Sequence, residues 1–134
     1  MGDVGAWNSW RAENPKIKPD FTYAVMRGAN LALADLSWAQ LREADLVLAN
    51  LRGADLRYAD LTGANLVGAR LTGVDLTHAN ICGADLSTAE DLTEEQLRQT
   101  RGDALTKLPE GVAAPENWTA RVPKRKSAQK TAGR

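Results

Sequence analysis

The sequence predicts an all-β solenoid: a chain that turns a corner every few residues and stacks its coils along one axis, with a short helix closing each end. Three observations predict it. The chain repeats with a period of five residues, its apolar content is mostly alanine and leucine, and helix-start signals flank the repeat.

From Pro19 to Thr88 fourteen pentads follow one another without insertion, opening PDFTY, AVMRG, ANLAL, ADLSW and closing VDLTH, ANICG, ADLST. The central residue is apolar in all fourteen and leucine in eleven, the residue two before it is alanine in twelve, and the one between is Asp or Asn in eleven. A period of five matches neither 3.6 nor 2, so neither a helix nor a flat strand keeps these residues on one face. Turning a corner in every pentad does, with leucine and alanine inward and the polar residue outward. Glycine at the fifth position, as at Gly53 and Gly68, suits such a turn.

The predicted core is therefore Leu31, Leu36, Leu41, Leu46, Leu51, Leu56, Leu61, Leu66, Leu71, Leu76, Ile81 and Leu86. Hydrophobic residues make up 43 % of the chain but aromatics only 5 %. The large side chains on which small globular domains rely are scarce, so a core of this kind needs walls that approach closely.

The A(D/N)LXX pattern resembles the pentapeptide-repeat family over Pro19 to Thr88. The resemblance implies a right-handed quadrilateral β-helix, four pentads to a square coil, with coils joined by β-bridges. Fourteen pentads then make about 3.5 coils, and at the ~4.8 Å spacing of paired strands the rod is ~17 Å long.

An open solenoid exposes strand edges at both ends. Before the repeat, Asp3 is placed to cap a helix over Val4–Glu13, with Val4, Trp7 and Trp10 on one face as a lid and Pro15 as its stop. After it, Thr93 and Gln96 form a capping box and Leu92 and Leu97 a hydrophobic staple. Gly102 is read as the C-cap, and Trp118 as folding back onto the rod. The chain thus divides into an N-terminal helical cap (1–18), the solenoid (19–91), a C-terminal capping helix and extended segment (92–118), and a basic disordered tail (119–134).

With four pentads per coil, residues twenty apart share a column. One face carries Asp35, Asp55 and Asp75, with Trp38, Tyr58 and His78 beside them and Arg57 in the column between. These are the candidate partner-binding residues. The bland alternative is a ring ladder that only stabilises the rod, with Arg57 screening the aspartates. An apolar strip of Val47 and Val67 with Leu48 offers a docking patch or a seat for the C-terminal segment, and the expectation is that it lies under that segment.

Charge and chemistry narrow the function. The chain has 17 basic and 17 acidic residues and no net charge, but no acid follows Glu116 while six bases do. Lys124, Arg125, Lys126, Lys130 and Arg134 offer at most weak, salt-dependent contact with nucleic acid. A lone cysteine, Cys82, excludes an internal disulfide and fits a reducing, cytoplasmic setting. No apolar run is long enough to span a bilayer and no signal peptide is read at the start. His78 and Cys82 lack the third group of a catalytic set, and no metal or phosphate motif is present. The expectation is a non-enzyme without cofactor that binds a protein partner through an outer face. The family resemblance supplies the alternative of a DNA mimic that inhibits or protects a type II topoisomerase such as DNA gyrase, through the Asp and Asn positions of the motif. Dimerisation through an end cap fits that alternative.

Overall fold

The computed structural model describes residues 3–121. It contains three short helices, α1 (Val4–Glu13), α2 (Glu94–Leu97) and α3 (Glu116–Arg121), and between the first two a coil held by isolated parallel bridges. Up to Glu90 each bridge joins a residue to the one twenty positions on: Asp20 to Gln40 to Asp60 to Asn80, Val25 to Asp45 to Asn65 to Asp85, Asn30 to Asn50 to Arg70 to Glu90, and Asp35 to Asp55 to Asp75. Four pentads therefore complete a coil. A wall holds one bridged residue rather than a strand, because a chain that bends every five residues has no length left for one.

The core follows the pentad pattern. The twelve predicted core residues are each at most 3 % exposed, and Leu46, Leu66 and Leu86 lie on pentads joined by successive bridges. The alanines between them are equally buried, so the walls close directly on the leucines.

The motif's polar residue has a specific task. All eleven Asp and Asn residues at that position accept, through Oδ1, the N–H of the residue two further on, at 2.9–3.3 Å. Asp and Asn share the position because this bond needs an oxygen and not a charge. It fixes the chain as it enters the turn, whose last residue has positive φ: thirteen of the fourteen fifth positions lie between 58° and 70°.

Seven of those thirteen are not glycine, and three columns relieve the crowding by setting a large residue over a glycine. A Cβ added to Gly53 would stand 2.7 Å from Leu33, and one added to Gly68 would stand 2.7 Å from Leu48. Leu48 is 67 % exposed. The apolar strip at Val47 and Leu48 is thus not covered by the C-terminal segment, contrary to expectation, because that segment pairs beyond Asp85, farther along the same wall.

Both ends are closed by side chains. Asp3 caps α1 by accepting from Gly5 and Ala6. The helix then serves the edge of the first coil: Trp7 donates to the Asp35 carbonyl (2.9 Å), and Asn8 donates to the Leu33 carbonyl (3.0 Å) and accepts from the Asp35 N–H (2.8 Å). Arg11, only 4 % exposed, donates to the carbonyls of Ile17 and Ser37 (2.7 Å each). Trp10 stacks on Trp7 but is itself 39 % exposed, so Trp7 and Arg11 rather than the tryptophan pair anchor the lid.

At the other end the capping box of Thr93 and Gln96 is formed, and Leu92 and Leu97 are buried. The chain continues the solenoid past the last pentad, with Arg101 bridging to Asn80 and Lys107 to Asp85. Gly102 is not a C-cap, since α2 ends at Leu97. Its role is space, because an added Cβ would lie 2.6 Å from the ring of Trp118. Trp118 does fold back: it is 1 % exposed and donates to the Thr100 carbonyl at 2.8 Å. That anchor carries the backbone of α3 to Arg121, past the expected start of the tail at Thr119.

Two outcomes follow. Leu56→Ala, which empties part of a coil that cannot collapse, is expected to lower unfolding free energy by ~2–5 kcal/mol in a urea titration. Arg11→Ala strips the Ile17 and Ser37 carbonyls of a buried donor and should cost ~2–4 kcal/mol, with a red shift of tryptophan emission as the lid loosens.

Candidate interaction face

The face built on the bridges Asp35 to Asp55 to Asp75 carries the predicted rings. Trp38 and Tyr58 stack with centroids 4.3 Å apart and planes 2° from parallel, and His78 follows at 5.0 Å and 31°. The Lys18 ammonium sits over the other face of Trp38, 5.1 Å from its centroid, a cation–π contact. All three rings sit at positive φ with no glycine in their column. At Leu33, Glu43 and Leu48 the large residue is set over glycine; here ring stacking between successive coils takes the place of that relief. Trp38 and Tyr58 each remain 44 % exposed along their edges.

The aspartates beside the rings are less free than their column suggests. Asp35 accepts from the Ser37 hydroxyl (2.7 Å), with Arg11 at 3.9 Å. Asp55 is held by a two-pronged contact from Arg57, at 2.9 and 2.7 Å. Asp75 accepts from the Thr77 hydroxyl at 2.6 Å. Partial burial pushes the Asp55 carboxyl up, but the hydrogen bonds from the Arg57 side chain and backbone and the charges of Arg57 and Arg11 outweigh it, so the net shift is downward. Asp55 in turn raises the Arg57 guanidinium further beyond the physiological range. The face is a ring ladder bordered by partly neutralised carboxylates, not a bare acidic strip.

The structure brings together Trp38, Tyr58, His78, Asp35, Asp55, Asp75 and Arg57, as the twenty-residue spacing implies. Lys18 was missed although it stands twenty residues before Trp38. Trp7, Asn8 and Arg11 were missed as edge donors because their bonds are to backbone, which no side-chain pattern reveals. The proposed tail cations, Lys124, Arg125, Lys126 and Lys130, lie outside the described residues.

Little else on the described surface is chemically poised. Burial, reinforced by Asp103, pushes the Cys82 thiol up, which makes it a poorer nucleophile. Among the described residues no group of three or more His, Cys, Asp or Glu side chains could hold a metal ion, and no helix is long and apolar enough to cross a membrane.

Comparison with known proteins fits this architecture. The family model for pentapeptide repeats matches residues 18–46 and 49–87 with 8 copies. The chain belongs to the pentapeptide-repeat family, whose fold is the right-handed quadrilateral β-helix and whose members are generally non-enzymatic. Similar solved structures include a pentapeptide repeat protein, Rfr23, from the cyanobacterium Cyanothece (38 % identity over 69 % of this chain and 67 % of that one, TM-score 0.34). Another comes from the thylakoid lumen of Arabidopsis thaliana (24 % identity, 84 % and 73 % covered, TM-score 0.26). A third is HetL of Nostoc, described as involved in heterocyst differentiation regulation (24 % identity, 67 % and 60 % covered, TM-score 0.26). No curated protein matches the chain.

The Asp55 shift sets a pH dependence. Its folded pKa lies below the ordinary value of ~3.9, so its contribution is fully present above that value and is lost as pH falls through the folded pKa. Arg57 is half exposed, so solvent screening keeps the pair's contribution small. Asp55→Asn keeps the turn bond, and should lower the melting temperature at pH 7 while flattening its fall as pH drops below the ordinary carboxylate range.

Proposed function

We propose that this protein is a non-enzymatic binding or scaffold module that takes a protein partner on the face formed by Trp38, Tyr58 and His78 with Asp35, Asp55, Asp75 and Arg57. The observation that carries the reading is the ring column. Three successive coils hold a ring in a positive-φ conformation, whereas every other column places at least one glycine there, and two of the rings stay partly open to solvent. Exposed, rigid, amphipathic rings next to an arginine–carboxylate pair have the make-up of interface anchors. In this reading about 3.5 pentad coils form the scaffold, and α1 and the C-terminal segment are caps that keep it from associating end to end. The lone thiol supports a reducing, cytoplasmic setting.

The topoisomerase-directed DNA mimic draws less support. Its candidate Asp and Asn oxygens are engaged in the turns, Asp55 is paired with Arg57, and Arg70 replaces an acid or amide in one column.

The test is a pull-down with the full chain against a Trp38→Ala, Tyr58→Ala variant whose fold is checked by circular dichroism. Loss of specific partners in the variant is expected; an unchanged set would count against the face. Inhibition or protection in a gyrase supercoiling assay at micromolar protein would favour the mimic instead.

A further inference from the structure

One amide breaks the rule of the coil. In thirteen of the fourteen pentads the central residue's N–H donates to a main-chain carbonyl of the neighbouring coil, from Phe21 to Gln40 through to Leu86 to Lys107. Leu76 is the exception: its N–H reaches no acceptor among the described residues, although the residue is only 3 % exposed.

The cause is local. The bridges of this face stop at Asp75, whereas the flanking walls continue to Glu90 and Arg101. Where the next wall would lie, the chain forms α2. Gln96 reaches back to the carbonyls of Leu71 (2.8 Å) and Val74 (3.1 Å), and the Gln99 carbonyl accepts from His78 (2.7 Å). These contacts, with the Thr100 hydroxyl donating to the Leu76 carbonyl (3.0 Å), satisfy the groups around Leu76 but not its N–H. Between the coil and α2 lies an open groove of about 760 Å³, with Asp75 and Leu76 on one wall and Glu95 and Gln96 on the other. Asp91 and Arg98 also line it, giving three carboxylates to one guanidinium.

We propose that this groove receives an extended, lysine- or arginine-bearing segment of a protein partner, one of whose backbone carbonyls accepts the Leu76 N–H. A main-chain donor without an acceptor in its own chain, beside an open groove, can be matched by a partner's carbonyl, and an edge that has lost its neighbouring wall is where an added extended segment finds its hydrogen bonds. The acidic rim selects a cationic segment. The inference deepens the proposed function, since Asp75 and His78 belong to the same face, and rests on that reading.

The test uses the full chain and a fluorescent synthetic peptide of alternating lysine and threonine, about ten residues long, which favours extended structure. At saturation the Leu76 amide should exchange about tenfold more slowly by NMR, because it becomes hydrogen-bonded. The Asp75→Asn, Glu95→Gln variant keeps the turn oxygen at residue 75, is checked by thermal melting, and should bind the peptide about tenfold more weakly. Equal affinity for a glutamate–threonine peptide, unaltered affinity in the variant, or binding without slowing of Leu76 would overturn the proposal. So would a Leu76 amide already as protected as that of Leu56 in the free protein, an outcome that assigns the groove to this chain itself. A failed peptide experiment beside a positive ring-variant pull-down would remove the groove and leave the face standing.

Discussion

The bond from each Asp or Asn oxygen to the amide two residues on is the constraint from which the rest of the structure follows. It recurs at all eleven such positions of the repeat. By fixing the entry to each corner it keeps the period at five, and a constant period aligns residues twenty apart. Bridges, buried leucine layers and the ring ladder all depend on that alignment. The charge of the acidic repeats is incidental to this task, which is why asparagine serves equally and why the outer acidity says little about ligands.

The ends of the coil are governed by different chemistry. Inside the repeat, backbone bonds backbone; at the boundaries, side chains take its place. Trp7, Asn8 and Arg11 supply the first edge with donors and an acceptor, and Gln96 and Thr100 do similar work at the last. A side-chain substitute closes an edge against indiscriminate pairing, but it copies a wall imperfectly. Leu76 is the place where the copy is incomplete.

Much of the fold was legible because it is repetitive. Leu46, Leu66 and Leu86 could be stacked on paper, and so could Trp38, Tyr58 and His78. The capping box at Thr93 was equally readable, being a local pattern with a local cause. Gly102 misled because a glycine after a helix usually ends it, whereas here the ring of Trp118, sixteen residues on, requires its missing side chain. The apolar strip at Leu48 was misplaced because the path of the C-terminal segment depends on where it re-enters pairing, at Arg101 and Lys107, and no periodicity marks those residues. The aspartate column was located correctly but misjudged in character, since a column map gives positions and not hydrogen bonds.

The register of the bridges has a consequence for how such a chain can change length. Removing a single pentad would carry every later column a quarter turn around the axis and scatter the rings over different sides. The ring ladder can therefore be lengthened or shortened only by whole coils. The steps of 21 and 22 residues from Asn80 to Arg101 and from Asp85 to Lys107 occur after the last ring, where no later column has to stay in line. Irregularity is tolerated downstream of the face and excluded within it, so length variation among related chains should fall at the closing end or in multiples of one full coil.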